Sequence, residues 1–425
     1  QFVTSLIIAR LLTPAELGVF SIAAVLIGVG HTLRDLGVVE YVIQEKELTE
    51  ARLRSALMMV FIAAWGVGAV AWFASGLVAD FYGVADLEKI MRILGINFFL
   101  LPFGSVVMAH MRREMQFGKI AAIQIASSVI QAALSIVLAW WGYSYFSMAY
   151  AAVAGTTVSI ILVLLLRPRG FPFLPSMGEL RRVFGFGSFS SARALLQDFD
   201  KGAPDLILGR LMNMEAVGYF GRAAGLVDLF NRLVVQATNY VALPHLSAKV
   251  RAGEDVTQPY LRAVALMTGL AWPFYAFLAL FAGVIVPVLY GPQWHPAIPL
   301  VQVICLGEML LAPFYLQGQL AISTGHVRWE VVRVLASLLL KLLPLFLLPD
   351  YGLTAVAAGY AATSLIVAPF SFLILRKLFD IRVSSLLNTC WRSFGVFLAS
   401  LVMMAAGNIL IRQMELIPTL RFLVT

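Results

Sequence analysis

Residues 7–24 read IIARLLTPAELGVFSIAA, and residues 207–224 read ILGRLMNMEAVGYFGRAA. The offset is 200 with no gap. Seven of the eighteen positions are identical: Ile7/Ile207, Arg10/Arg210, Leu11/Leu211, Gly18/Gly218, Phe20/Phe220, Ala23/Ala223 and Ala24/Ala224. Each copy is an apolar run, a short turn and a second apolar run. A shared turn at a fixed distance marks an internal duplication. Weaker echoes follow at Phe81-Tyr82-Gly83 with Leu289-Tyr290-Gly291, and at Pro102-Phe103 with Pro313-Phe314.

Outward from these two turns, apolar stretches of membrane-crossing length recur near 15–39, 55–79, 87–110, 117–140, 144–166, 183–209, 215–243, 261–290, 296–324, 329–348, 353–375 and 393–411. Residues 1–9 read as the tail of an earlier span and 416–425 as the start of a later one, so both ends read as truncated. The expected fold is all-α: a polytopic membrane protein of about fourteen transmembrane helices, twelve complete and two truncated. Six spans separate the two copies of the turn. An even number gives them the same orientation, a parallel repeat about an axis along the membrane normal. The expected organisation is a six-helix lobe over 1–166, a cytoplasmic linker over 167–182, a second six-helix lobe over 183–375 and additional helices over 376–425, with a central cavity between the lobes.

Composition agrees. Of 425 residues, 60% are hydrophobic and 13% charged, with a mean hydropathy of +0.88. Soluble domains run nearer one-half and about one-quarter. This excludes a soluble enzyme, a disulfide scaffold and a disordered chain. The two cysteines, Cys305 and Cys390, form no CxxC or His/Cys cluster, so no disulfide, metal site or cofactor is indicated. The net charge of +8 sits in short loops. With residues 1–9 counted as the first span, loops after even-numbered spans hold nineteen Lys and Arg residues. Loops after odd-numbered spans hold five, Arg10, Lys89, Arg92, Arg210 and Arg412. The positive-inside rule places the even loops and both termini in the cytoplasm. The basic excess is thus a topology signal and not a nucleic-acid footprint.

At Ala9-Arg10-Leu11-Leu12-Thr13-Pro14-Ala15-Glu16-Leu17-Gly18-Val19-Phe20, at Arg34-Asp35-Leu36-Gly37 and at Ile43-Gln44-Glu45-Lys46-Glu47-Leu48-Thr49, the sequence resembles the bacterial polysaccharide-transporter family. These are the Wzx-type flippases of O-antigen, capsule and colanic-acid synthesis, within the superfamily that holds multidrug exporters and the lipid II flippase. The resemblance is sharpest over the first 55 residues or so. It implies two six-helix lobes and a cavity open alternately to each side of the bacterial inner membrane. It also implies the movement of a polyprenyl-pyrophosphate-linked oligosaccharide between leaflets. The partners implied are that glycolipid, membrane lipids, and a polysaccharide polymerase or glycosyltransferases of the same pathway.

Charges inside spans point to where such a ligand would sit. A charge at mid-membrane costs about 3 kcal/mol on insertion scales. Eleven lie within the expected spans: Arg34, Asp35, Arg193, Asp198, Asp200, Lys201, Arg222, Asp228, Arg232, Glu308 and Lys341. Most must face a cavity, pair or snorkel. Nine of them fall on the second, seventh and eighth spans. Asp228, Arg232, Gln236 and Asn239 share one face at helical spacing, as do Ser190, Arg193, Gln197 and Lys201. Arg193 stands eleven residues into its span, about 16 Å deep, with no acid three or four residues away. Guanidinium stays charged and takes phosphate through paired hydrogen bonds. Arg34, Arg193, Arg222 and Arg232 are therefore the candidates for the pyrophosphate. Gln197, Asn231, Gln236, Asn239 and Tyr240 are those for the glycan. Asp35, Asp198, Asp200, Asp228 and Glu308 are candidates for a coupling ion. Bland readings stand beside these: Asp228–Arg232 is an i, i+4 acid-before-base pair, Asp198 or Asp205 can pair with Lys201, and Arg34 can snorkel.

Asp198-Phe199-Asp200 matches the DxD pattern of metal-dependent glycosyltransferases. On a helix, however, its carboxylates diverge by about 200°. A membrane-embedded ligase or polymerase would need a large outer loop, and the odd loops are short. No catalytic residues are therefore assigned. The remaining alternatives are a Na⁺- or H⁺-coupled drug or metabolite exporter and a lipid II flippase.

Overall fold

The computed structural model describes the backbone of residues 2–413 other than 36, 46, 169, 170 and 173. Within it, the side chains of 2, 40, 44, 181–194, 197, 405 and 407–413 lie outside the description. The described chain is helical throughout: α1 (Phe2–Leu11), α2 (Pro14–Asp35), α3 (Val38–Gln44), α4 (Glu50–Tyr82), α5 (Asp86–Leu100), α6 (Pro102–Arg113), α7 (Phe117–Trp140), α8 (Phe146–Leu165), α9 (Leu180–Leu211), α10 (Met214–Val227), α11 (Gln236–Arg251), α12 (Thr257–Tyr290), α13 (Ala297–Leu311), α14 (Gln317–Ser323), α15 (Val327–Leu347), α16 (Leu353–Ala362), α17 (Ser364–Phe379) and α18 (Val383–Gln413). Two compact units divide it, 1–218 and 219–425, with the boundary inside α10.

Eight of the described spans are long and apolar enough to cross a membrane, or nine if the bent pair α5–α6 is one span. This is a multi-pass membrane protein. Large apolar side chains on their outer faces, such as Phe73 at 81% exposure and Trp140 at 76%, would be costly in water and are at home in lipid. Among the remaining expected spans, α9 and α15 are more heavily charged, with Asp198, Asp200 and Lys201 in the first and Glu330, Arg333 and Lys341 in the second.

Several spans that read as single stretches are broken. Pro102 lacks the N–H that would continue the ladder, and α5 and α6 meet there at 54°. A 3₁₀ turn over Ala312–Phe314, carrying Pro313, separates α13 from α14. A π-helical turn over Asn231–Val235 lies before α11.

The turn that opened the sequence is a capping box. The Thr13 N–H donates to Glu16 Oε2 at 2.7 Å, and the Glu16 N–H donates back to Thr13 Oγ1 at 3.3 Å. Pro14 fits the first helical position, where no N–H partner is needed. In the second copy Asn213 Oδ1 accepts from the Ala216 N–H at 2.8 Å. The copy keeps the cap and loses the reciprocal acid. The two copies then meet. A Cβ on Gly18 would stand 1.9 Å from Met214 O, and a Cβ on Gly218 would stand 2.1 Å from Pro14 O. Each helix start is seated on the other copy's glycine.

α9 packs in the first unit against α2, α3 and α4. A Cβ on Gly202 would stand 2.3 Å from Val25 Cγ1, and one on Gly209 would stand 2.4 Å from Ile22 Cδ1. Small residues at this seam let two backbones approach, the usual basis of helix association in lipid. Gly202 thus has a packing role; the helix runs through both Gly202 and Pro204.

At the end of α2, Gly37 takes φ 66°, a left-handed conformation that turns the chain into α3. This explains the glycine of Arg34-Asp35-Leu36-Gly37. The following stretch is held by two arginines. Arg113 donates to the carbonyls of Val42 at 3.0 Å, Ile43 at 3.3 Å and Glu45. Arg52 reaches Glu45 at 3.4 Å and Glu179 at 3.3 Å and also donates to Glu47 O. Around them α3, α4 and α6 bury Tyr41, Val42, Leu57, Val60 and Val106. Arg113→Ala leaves three carbonyls at the end of α3 without their donor. We expect about 2 kcal/mol of destabilisation, since hydrogen bonds from a charged donor contribute about 1.5–3 kcal/mol. A fall of several degrees in the detergent melting temperature will report it. An unchanged melting temperature would show that water replaces the guanidinium without loss.

Candidate functional site

The first unit holds a cavity of about 390 Å³ between α2, α3, α6, α7 and α8. Arg34 enters it from the last turn of α2. At 8% exposure it is a buried guanidinium inside a membrane protein. Its Nη2 pairs with Asp35 Oδ1 at 2.7 Å, and Nη1 donates to Ser105 Oγ at 3.2 Å. Its Nε is buried with no hydrogen-bond partner. Ser105 is placed by the helix break at Pro102, and its hydroxyl also donates to Leu101 O at 2.8 Å. The pairing with Asp35 neutralises part of the charge and fixes the plane of the guanidinium. Arg34 is held by partners on two elements, Asp35 on α2 and Ser105 on α6. Arg112, Ser127, Gln131, Thr156 and Ser159 complete the polar wall.

Beside the cavity, Thr32 Oγ1 donates to Asp198 Oδ2 across the α2–α9 seam. Asp198 is thus engaged by a hydroxyl on α2. A hydroxyl donor satisfies a carboxylate without a second buried charge. His31 packs on the Phe98 ring with centroids 4.7 Å apart. Asp200 lies two residues on, half-buried. Arg193 and Gln197 fall within α9, but their side chains lie outside the described residues.

In the second unit, Arg222 Cζ sits 5.9 Å from the Tyr290 ring centroid, a cation–π contact. Asp228 and Arg232 form the expected i, i+4 pair at 2.7 Å. The face shared by Asp228, Arg232, Gln236 and Asn239 does not continue as an α-helical stripe. The π turn over Asn231–Val235 bonds i to i+5 and rotates everything after it. Asn231, Gln236 and Tyr240 are exposed, Tyr240 at 83%. Asn239 keeps a buried Oδ1 without a hydrogen-bond partner. Glu308 on α13 accepts from the Tyr315 hydroxyl at 2.8 Å. Tyr315 in turn meets the Tyr275 hydroxyl at 2.8 Å. Lys341 Nζ lies 5.4 Å from the Tyr360 ring centroid.

The structure thus brings Arg34 and Asp35 together at one cavity and joins Asp228 to Arg232. It places Glu308 in a tyrosine chain of its own. Sequence reading missed the uncharged wall of the cavity and the two tyrosines. The spacing Ser127–Gln131 on α7 and Thr156–Ser159 on α8 was a usable signal, since polar residues four and three apart share a helix face. Among the described residues no group of three or more His, Cys, Asp or Glu could hold a metal ion. Cys305 and Cys390 are free and buried.

Comparison with known proteins adds a family. The family model described as polysaccharide biosynthesis protein matches residues 7–299. The lipopolysaccharide biosynthesis protein WzxC of Escherichia coli (strain K12) is 21% identical over 330 residues, 76% of this chain and 66% of that protein. The succinoglycan biosynthesis transport protein ExoT of Rhizobium meliloti (strain 1021) is 26% identical over 355 residues, 79% of this chain and 69% of that protein. The chain spans about two thirds of the length of these curated relatives. Among solved structures, the lipid II flippase MurJ in an inward closed conformation has a TM-score of 0.72 at 11% identity, covering 97% of this chain and 98% of that one. An inward-facing multidrug resistance MATE family transporter of the MOP superfamily has a TM-score of 0.67 at 14% identity, covering 92% and 96%. At such identities the likeness is one of fold.

Proposed function

Because the chain belongs to the polysaccharide biosynthesis protein family, we propose that it carries a polyprenyl-pyrophosphate-linked oligosaccharide across the bacterial inner membrane by alternating access. The observation that carries the reading is Arg34: a buried guanidinium in a membrane-spanning helix, its Nε unpartnered, beside a polar cavity. Burying such a charge in lipid is costly, and a phosphate ester is the ligand that best offsets the cost.

In this reading the helices form two parallel six-helix lobes, 1–166 and 183–375, joined by the linker 167–182. The chain after 375 is an addition to the two lobes, and both termini face the cytoplasm; the expected further span at 416–425 lies outside the described residues. Arg34, Arg193, Arg222 and Arg232 hold the pyrophosphate in successive states of the carrier. Gln197, Asn231, Gln236, Asn239 and Tyr240 meet sugar hydroxyls, while the polyprenyl tail stays in lipid. Rocking of the two repeats exposes a fixed site to one side and then the other. Glu308, Asp35, Asp198, Asp200 and Asp228 are the carboxylates that a coupling cation would use. A polymerase or glycosyltransferases would act before and after this step. The chemistry is binding and release, with no bond made or broken.

Deletion of the gene is the test. The expected result is a lipid-linked glycan that accumulates in the cytoplasmic leaflet, with drug sensitivity unchanged. Raised drug sensitivity with normal glycolipid levels would instead support the exporter. Accumulation of a peptidoglycan precursor would support the lipid II flippase.

A further inference from the structure

The cavity beside Arg34 has a chemistry narrower than that of an anion site. Its charged groups are Arg34 and Arg112 against Asp35, a net single positive charge. The rest of its polar wall is hydroxyl and amide: Ser105 and Ser127, Gln131, Thr156 and Ser159. Hydroxyls and amides both donate and accept, which suits a ligand whose own groups do the same. Leu101, Met108 and Ile160 add apolar surface to the same wall, which the C–H faces of a sugar ring can use. The volume of about 390 Å³ falls in the ~300–1,000 Å³ range of small-molecule sites. α7 and α8 are held close here. A Cβ on Gly155 would stand 3.0 Å from Gln131 Cβ and 3.2 Å from its Oε1, which pins the Gln131 side chain against α8. The cavity lies toward the C-terminal ends of α2 and α8 and runs the length of α6, and each of these helices leads into a Lys/Arg-rich even loop, the cytoplasmic side by charge.

We propose that this cavity is a loading subsite that takes the phosphate-proximal sugar of the lipid-linked glycan from the cytoplasmic leaflet, with Arg34 on the adjoining phosphate and Gln131 and Ser159 on the sugar hydroxyls. The assignment rests on the flippase reading above. The shared ligand chemistry is a hydroxyl-bearing phosphate ester, which an anionic phospholipid headgroup also offers.

The test uses the full chain in nanodiscs of phosphatidylcholine. The probes are polyprenyl pyrophosphate with and without one attached N-acetylhexosamine, with phosphatidylglycerol as competitor. The sugar-bearing carrier should bind about tenfold tighter than the bare one, the worth of roughly one to two net hydrogen bonds. Gln131→Leu and Ser159→Leu should each bring that preference below about threefold while leaving the bare carrier's affinity intact. Two substitutions on different helices guard against a local folding defect in one, and each must show an unchanged melting temperature. Equal binding of the two carriers overturns the subsite and leaves the flippase reading standing, as does a preference that survives both substitutions. Failure of both carriers to bind overturns the subsite and the flippase reading together. Phosphatidylglycerol that displaces the sugar-bearing carrier from the unsubstituted protein but not from Ser159→Leu assigns the cavity to a lipid headgroup and likewise overturns the proposal.

Discussion

Gly218→Ala and Gly18→Ala will each sharply lower the yield of folded protein. The new methyl group at 218 would stand 2.1 Å from Pro14 O, and that at 18 would stand 1.9 Å from Met214 O. Both obstacles are backbone atoms at capped helix starts, so no side-chain rotation relieves them. Overpacking commonly costs about 1–3 kcal/mol, and a clash with fixed backbone belongs at or above the upper end, about 3 kcal/mol. Each substitution should lower the detergent melting temperature by several degrees. Gly28→Ala and Gly66→Ala are the controls. Their positions are helical with nothing within 4 Å of a new Cβ, so the change should be neutral or stabilising by about 0.5–1 kcal/mol. If all four variants melt alike, the reciprocal seat carries no load.

Arg34→Ala should reduce glycolipid translocation by roughly a hundredfold at normal expression. Removing one charge-assisted contact to phosphate loses about 1.5–3 kcal/mol, and each 1.4 kcal/mol is about tenfold. Lysine should restore part of the rate, because it keeps the charge but not the paired geometry. The structural share of the effect can be separated. Ser105→Ala removes the Nη1 contact at 3.2 Å and leaves the guanidinium in place. It should cost about 1 kcal/mol of stability and far less translocation. Translocation that survives Arg34→Ala would remove this residue from the pyrophosphate site.

The all-helical, multi-span character was legible in the chain. The run at 117–140 coincides with α7, and the duplicated turns at 12–13 and 212–213 end one helix and start the next at the same offset. Hydrophobic length and turn residues suffice for this because the bilayer imposes both. Breaks were less legible. Pro102 stands at the 54° break between α5 and α6, while Pro204 sits inside an unbroken α9. The π turn before α11 left no mark in composition, so the stripe through Asn239 was drawn with the wrong period. Arg52 and Arg113 counted as topology charges, yet they clamp the loop after α3. Charge tells which side of the membrane a residue prefers; it does not tell which carbonyls it finds there. The cavity wall leaves a fainter mark because Ser127, Gln131, Thr156 and Ser159 are uncharged and cost far less to place in a span than a full charge does.

The two glycine notches also set a clock for biosynthesis. Pro14 leaves the ribosome some two hundred residues before Gly218, so at about 5–20 residues per second the first notch stays vacant for about ten to forty seconds. During that interval the nascent corner must be shielded by the insertion machinery, and a translation pause inside this window would lengthen the exposure in direct proportion.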